Sequence, residues 1–509
     1  VITESPTFFL SVIINVFGTM IKKKGRQMNN IINFLCLPDN DIEVTNIEII
    51  GDTKYVYIRK ILTPMFCPNC NYRMHSKGIR KRSIRHPIFQ DGYKLVLVVS
   101  VRRWECQNDE CDGYIVDSFS FFDKGKQLSN LTPFMVLEAL KDLNRTAVSV
   151  AEQFHISDTL VHTYVLTYLD FKRLPMPRIL SIDEVYLEFN KSNRYCLVLI
   201  DFETGDIVDI LPNRNGQTME DYFLAIPREE RLKTEIIITD MYGPYLNLPN
   251  KYFNKASCIV DSFHVVSFLV RSINNYINEV QKRYQAIDNQ RRKEKNIQNN
   301  TYNKTIKDSD EVKLLKSYRF FLLKNNDEIE YSSYRYFRKR FGAYLNTQEL
   351  EKKFMELDDK FETIRDLKEE YIAFNSEYFG KDENEVRSKL EELINKYYES
   401  NIKIFIDFAN HLKNFKEQII LSFKDFGVPV KDKEREDLHR RLSNGPMEGF
   451  NLKPKNLKRN SRGLDNFEYT RNRILWSERE DAHILAIPKS EKEVHTYTHK
   501  TRGPYNKNK

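Results

Sequence analysis

Asp183 lies in the middle of an apolar run, Arg178-Ile-Leu-Ser-Ile-Asp-Glu-Val-Tyr-Leu-Glu-Phe189, which reads as a buried strand. A carboxylate there costs roughly several kcal/mol unless it is paired or binds a metal. Asp240 closes a second apolar strand, Glu235-Ile-Ile-Ile-Thr239. Two adjacent carboxylates repel, and a divalent cation removes that penalty. Mg²⁺ (or Mn²⁺) suits such a site, because it takes oxygen ligands and leaves positions open. Glu448, in Ser443-Asn-Gly-Pro-Met-Glu-Gly-Phe-Asn451, is the candidate third acid. Gly445-Pro446 marks a helix start and puts Glu448 in its first turn, where a Glu also commonly serves as a cap. Lys453, Lys455, Lys458, Arg459, Arg462, Arg471 and Arg473 surround it with charge suited to phosphate. Carboxylates holding two divalent ions activate an attacking oxygen and stabilise a leaving one, which is phosphodiester chemistry.

A second constellation is made of sulfur. Cys67-Pro-Asn-Cys70 and Cys106-Gln-Asn-Asp-Glu-Cys111 are two tight turns, each aiming two thiolates at one point. Together they predict a structural Zn²⁺ site on Cys67, Cys70, Cys106 and Cys111, in a zinc ribbon whose strand includes Tyr93–Trp104. The seven cysteines, four of them in these pairs, exclude a secreted disulfide framework and fit a reducing compartment. Arg80, Lys81, Arg82 and Arg85, with Lys77, Arg102 and Arg103, supply charge for phosphate contact; a solvated face has the same composition. His75 and His86 are possible substitute ligands but read rather as surface residues.

The elements that must position these groups follow from periodicity. Residues 41–62 alternate as two strands around Gly51-Asp52. Thr132-Pro133 opens a helix, a second spans Thr146–Phe154, and a third runs from Asp158 to Tyr168 behind the N-cap Ser157. This is a helix-turn-helix spacing that presents Asp158, Thr159, His162 and Thr163 to a major groove; a plain helical bundle has the same period. Strands follow at Ile179–Phe189, Tyr195–Phe202, Ile207–Leu211, Glu235–Thr239 and Ser257–Val260, with helices at Met219–Ile226 and Tyr245–Phe253. Three meandering strands and then alternating helix and strand predict an α/β, ribonuclease-H-like core, in which Asp183 and Asp240 sit side by side. Phe263–Leu438 has helical spacing, broken by the polar run Asn296–Asp310, and reads as a large all-helical insertion.

The 509 residues, 41% hydrophobic with 28 Tyr and 33 Phe, suit several domains, and the net charge of +8 is too small to specify a partner. The apolar stretch Phe8–Ile21 is short for a membrane span, and Lys22–Lys24 follow rather than precede it. Residues 1–27 read as translated upstream sequence, with Met28 as the start, and the chain reads as cytoplasmic with no membrane partner.

Asp183, Asp240 in Thr-Asp-Met, and Glu448 in Ser-Asn-Gly-x-x-Glu-Gly-x-Asn resemble the DDE transposases of bacterial insertion sequences, the ISL-three family above all. That family similarly carries a Cys-Pro-x-Cys ribbon, a helix-turn-helix and a Lys-Arg-rich motif before Arg473-Ile-Leu475. The resemblance covers roughly Met28 to His483. One departure is Asn71, where the ribbon often has Gly; Asn tolerates the same left-handed turn. The resemblance implies that Asp183, Asp240 and Glu448 bind the catalytic metals. It also makes Asp261-Ser-Phe-His264 the Asp-x-x-His motif of related transposases, with His264 contacting DNA or assisting near the scissile phosphate; a structural histidine at a helix start fits the same position.

The expected organisation is a leader (1–40), the zinc ribbon (41–125), the helix-turn-helix and linker (126–177), the catalytic core (178–264), the helical insertion (265–438), the rest of the core (439–487) and a basic tail (488–509). The expected activity is binding of terminal inverted repeats, metal-dependent strand cleavage and transfer into target DNA, by a nucleoid-associated homodimer. Lys455, Lys458, Arg459 and Arg462 are expected to hold double-stranded DNA at the active site. The rival expectations are a DNA-binding regulator with an inactive core and a structure-selective nuclease.

Overall fold

The computed structural model describes residues 35–90, 92–189, 194–298, 308–430, 438–464 and 466–495. Met28 and the apolar N-terminal stretch lie outside them, as do 299–307 of the polar run and the tail beyond 495. Two compact units are present, Val1–Asp170 with Ala482–Lys509, and Phe171–Asp481.

The first unit is built on β1 (Ile42–Ile50), β2 (Thr53–Lys60), β3 (Met74–Gln90), β4 (Tyr93–Cys106) and β5 (Tyr114–Val116), in the order β1-β2-β4-β3 with β5 also on β4. Gly51, at φ 60, makes the β1–β2 turn that a side chain would strain. The basic stretch between the cysteine pairs is itself the long strand β3, antiparallel to β4. Its alternation sends Ile84 inward to Val56, Ile58, Leu97 and Val99, under Phe119, Phe121 and Phe122, while Arg85 points out. His86 shares the inward face and is buried, against the surface position expected for it. Its Nε2 donates to the Leu35 carbonyl at 2.8 Å, so its Nδ1 accepts from the Ser129 hydroxyl at 3.0 Å.

Three helices follow, α1 (Thr132–Leu140), α2 (Ala147–Phe154) and α3 (Asp158–Tyr168). A Thr146/Ser149 capping box starts α2, and His155, at φ 52, ends it in the left-handed region. Ser157 Oγ then caps α3 by accepting from the Leu160 N–H.

The second unit holds a mixed sheet of β6 (Ile179–Tyr186), β7 (Tyr195–Asp201), β8 (Ile207–Leu211), β9 (Ile236–Thr239) and β10 (Ser257–Val260), ordered β10-β9-β6-β7-β8. β6, β7 and β8 are antiparallel, whereas β9 runs parallel to β6 and β10 parallel to β9. Strand alternation separates two faces. Leu180, Ile182 and Leu199 pack on Met219 and Phe223 of α4 (Gly216–Leu224) and on Tyr245 of α5 (Gly243–Leu246). Ile179, Ile236, Ile238 and Ile259 pack on Val428 and Leu442 instead.

After β10 come α6 (Ser262–Gln298), α7 (Phe361–Glu377), α8 (Glu383–Glu399), α9 (Lys403–Asn414) and α10 (Lys416–Leu421), which share a core of their own. The insertion is not all-helical as expected. Tyr336–Arg338 and Ala343–Leu345 form an antiparallel hairpin, where aromatic side chains favour strand and Gly342, at φ 64, supplies the turn. The chain then returns to the sheet as α11 (Gly445–Asn460) and α12 (Phe467–Glu478).

Candidate active site and metal centre

Register brings the carboxylates together. β6 and β9 pair in parallel, with Ser181 opposite Ile238, and two residues further on Asp183 stands beside Asp240. β9 and β10 pair Thr239 with Val260, and the next position sets Asp261 beside Asp240. Asp183 within β6, and Asp240 and Asp261 just past the ends of β9 and β10, thus lie side by side across three neighbouring strands. Burial pushes the Asp183 carboxyl up to about 6; its own neighbour Asp240 adds to that, while the Glu184 N–H and His264 oppose it. Asp240 is likewise raised, chiefly by burial and also by Glu184, although its carboxylate accepts from the Tyr242 N–H at 3.0 Å. Asp261 is buried, and burial raises it as well. Its Oδ1 accepts from the Phe263 N–H, its Oδ2 has no hydrogen-bond partner among the described residues, and His264 Nε2 stands 3.9 Å from that oxygen.

α11 is docked on β6 by two asparagines. Ser181 Oγ donates to Asn444 Oδ1 at 2.5 Å, and Asn451 Nδ2 donates to Asp183 Oδ2 at 2.7 Å. Asn444, Glu448 and Asn451 are spaced i, i+4 and i+7, one face of a helix, so Glu448 stands between the two anchors. Its side chain is exposed. The three acids are not gathered as tightly as the sequence argument requires. Among the described residues, only the four-cysteine group brings three or more candidate ligand atoms within 4.8 Å of one another.

Sequence reasoning missed Asn444, Asn451 and Ser181, although both asparagines belong to the Ser443–Asn451 motif and the i, i+4, i+7 spacing was there to be read. It also missed Glu184, which faces the other side of β6. There Arg214 Nη1 lies 2.6 Å from Glu184 Oε1, and Tyr245 Oη donates to that oxygen at 2.6 Å.

The basic residues divide into two sets. Lys455, Lys458, Arg459 and Arg462 line an open cavity of about 510 Å³ with Glu188. Arg471 and Arg473, read as phosphate-binding, are withdrawn from solvent: Arg471 pairs with Asp209 at 2.6 Å, and Arg473 is fully buried. Lys453 pairs with Glu478 at 2.6 Å. In the first unit Arg80, Lys81 and Arg85 are exposed and Arg82 is half-buried. Arg85 has a structural task too, its Nη1 donating to the His155 carbonyl at 2.7 Å. Thr159 is exposed and His162 half-buried on α3.

The sulfur centre fits zinc. Cys67 and Cys111 Sγ are 3.7 Å apart, and Cys70 and Cys106 Sγ 3.4 Å. Tetrahedral Zn–S bonds of about 2.3 Å set sulfurs about 3.8 Å apart. Burial opposes ionisation of Cys67, but the backbone N–H groups of Asn69 and Cys70 outweigh it and bring the thiol down to about 7. Asn71, at φ 58, takes the left-handed position in this turn, its N–H donating to the Cys67 carbonyl. Gly113 leaves the room: a Cβ there would lie 2.5 Å from Cys67 Sγ.

A mixed sheet that sets Asp183 beside Asp240, with the helix that carries Glu448 docked on the strand of Asp183, is an arrangement suited to a DDE-type domain. A family model described as a transposase, that of the ISL-three DDE group, matches residues 180–474. The chain belongs to this DDE transposase family. It is also similar to the transposase for insertion sequence element IS1001 of Bordetella parapertussis, at 23% identity over 286 residues. That match covers 55% of this chain and 64% of the relative, so the chain spans a little under two thirds of that protein's length. No helix among the described residues is long and apolar enough to cross a membrane.

Proposed function

We propose that this protein is a metal-dependent DNA transposase whose ribonuclease-H-like core cuts and joins strands at the ends of an insertion sequence. The observation that carries the reading is the in-register pair Asp183 and Asp240, both raised in pKa and without an ion-pair partner among the described residues. Asp261 Oδ2 and Asn451 Oδ1, both buried without a hydrogen-bond partner among the described residues, add oxygens suited to a cation. Asp183, Asp240 and Glu448 would hold Mg²⁺ or Mn²⁺, which supplies activation of the attacking oxygen and stabilisation of the leaving one.

The chain's own residues do the rest. Asn451 fixes the rotamer of Asp183 through one of its oxygens. Glu448 reaches in from the first turn of α11 once positive charge offsets the repulsion. His264, close enough to act on Asp183, Asp240 and Asp261, would contact DNA or assist near the scissile phosphate. Water attacks the phosphodiester first; the freed 3′-hydroxyl then attacks target DNA in line. Lys455, Lys458, Arg459 and Arg462 hold the backbone nearby. The zinc ribbon, through Arg80, Lys81, Arg82 and Arg85, and the helix-turn-helix, through Thr159 and His162, bind the terminal inverted repeats. A homodimer would bring two such sites to two ends.

The test is cleavage and strand transfer on the element's own ends with Mg²⁺. Asp183→Asn, Asp240→Asn and Glu448→Gln should each abolish both steps while leaving end binding intact. Cutting of branched DNA without joining would move the assignment to a structure-selective nuclease. End binding with no cutting at all would leave a regulator.

A further inference from the structure

Around the carboxyl end of β6 three rings and two cations form one run of contacts. Lys458 Nζ lies over the Tyr186 ring, 4.3 Å from its centroid. Tyr186 meets Tyr195 edge to face at 5.2 Å. Arg214 is sandwiched between Tyr195 and Tyr242, its guanidinium carbon 4.8 Å from each ring centroid. One end of this ladder opens into the basic cavity of Lys455, Arg459 and Arg462. The other opens into a second cavity of about 760 Å³, lined by Arg194, Tyr195, Arg214, Tyr242 and Lys251. The ladder passes the reaction centre, since the Tyr242 N–H bonds Asp240 and the Glu184 that holds Arg214 also acts on Asp240.

Exposure separates these rings from core tyrosines. Tyr245, which donates to Glu184, is 0% exposed, whereas Tyr186, Tyr195 and Tyr242 are 37%, 38% and 37% exposed. Three half-open rings interleaved with cations have no use for duplex DNA, whose base faces are already stacked. They match unpaired bases, which stack on aromatic rings while cations follow the backbone.

We infer that this ladder binds single-stranded DNA, the unpaired nucleotides next to the cut, with a base taken into the cavity that Tyr195, Arg214 and Tyr242 line. The inference rests on the proposed function for its substrate, but not on catalysis.

The experiment measures fluorescence anisotropy of the zinc-loaded full chain, without Mg²⁺ or Mn²⁺, with three probes: single-stranded DNA, a duplex with a single-stranded overhang, and a blunt duplex. The overhang probe should bind more tightly than the blunt one. Tyr195→Ala and Tyr242→Ala should each weaken binding of the single strand and of the overhang probe about tenfold, with the blunt duplex unchanged. Tyr195→Phe and Tyr242→Phe, which keep the ring, should restore both, showing that stacking rather than folding is read. Equal affinity for overhang and blunt ends in the wild type, equal losses on all three probes, or no loss in the alanine variants would overturn the inference. Failure of the proposed function appears elsewhere, as absence of cutting with Mg²⁺ whatever the binding pattern.

Discussion

Asn451 donates its carboxamide N–H to Asp183 Oδ2 across 2.7 Å, joining the helix that carries Glu448 to the strand that carries the first aspartate. An amide can donate to a carboxylate without adding charge, so it fixes the oxygen and leaves the pair of aspartates free for a cation. Asn451→Ala should lower cleavage about 10- to 100-fold and raise the Mg²⁺ concentration needed for half-maximal rate. Asn451→Asp should be worse, since it adds a like charge beside Asp183. Rate against Mg²⁺ concentration is the measurement, and an unchanged midpoint in both variants would remove the orienting role.

Gly113→Ala tests the sulfur centre without touching a cysteine. The new Cβ would lie 2.5 Å from Cys67 Sγ, so the sulfur or the turn must move. Zinc released on thiol modification should fall well below one equivalent, as it should in Cys106→Ser. Structural zinc contributes about 10–16 kcal/mol in small modules, so chelation should unfold the ribbon. Full zinc content in Gly113→Ala would show that the turn yields easily.

His86 should make the first unit acid-sensitive. Burial brings its pKa down from 6.5 to about 4. The folded form holds it neutral, while the unfolded chain takes up a proton below 6.5. Its contribution is therefore complete above pH 6.5 and is lost as pH falls toward 4, by about 3 kcal/mol in all. His86→Gln should flatten the slope of stability between those values. Denaturant titrations from pH 4 to 7 would show it, and equal slopes for both proteins would contradict it.

Arg441 ties the insertion to the segment entering α11. Its guanidinium donates to the Asn375 carbonyl at 2.8 Å and to Ser422 Oγ at 2.7 Å, and lies over the Phe423 ring at 3.8 Å. Burial lowers its pKa to about 10. Arg441→Met leaves those acceptors unmatched and should cost about 2–4 kcal/mol. Because Asn444 and Glu448 follow directly, the cleavage rate should fall more than DNA affinity, with Arg441→Lys intermediate. Loss of affinity in step with rate would make Arg441 a plain core residue.

Much of the scaffold was legible because local pattern decides it. Ile207–Leu211 and Ser257–Val260 are strands with the limits that their apolar runs suggest, and Asp158–Tyr168 is the helix its cap announces. The paired cysteines carried their own geometry. β3 was hidden because charges fill its outward positions and obscure the period of two. What local pattern cannot show is pairing across distance. Nothing near Arg471 says that Asp209 takes it out of phosphate's reach, and nothing near Asp183 names Asn451. The exposed Glu448 is a related case: its helix was readable, but how far its side chain stands from Asp183 and Asp240 depends on how that helix docks.

The order of these parts along the chain also sets a schedule for biosynthesis. Asp183 and Asp240 emerge from the ribosome early, and the whole insertion must be made before Asn444 and Asn451 can latch onto β6. A nascent chain, or one cut short by a stop codon after the insertion, carries both aspartates but neither the latch nor Glu448. Under the function proposed here, strand cleavage would wait until translation has passed α11.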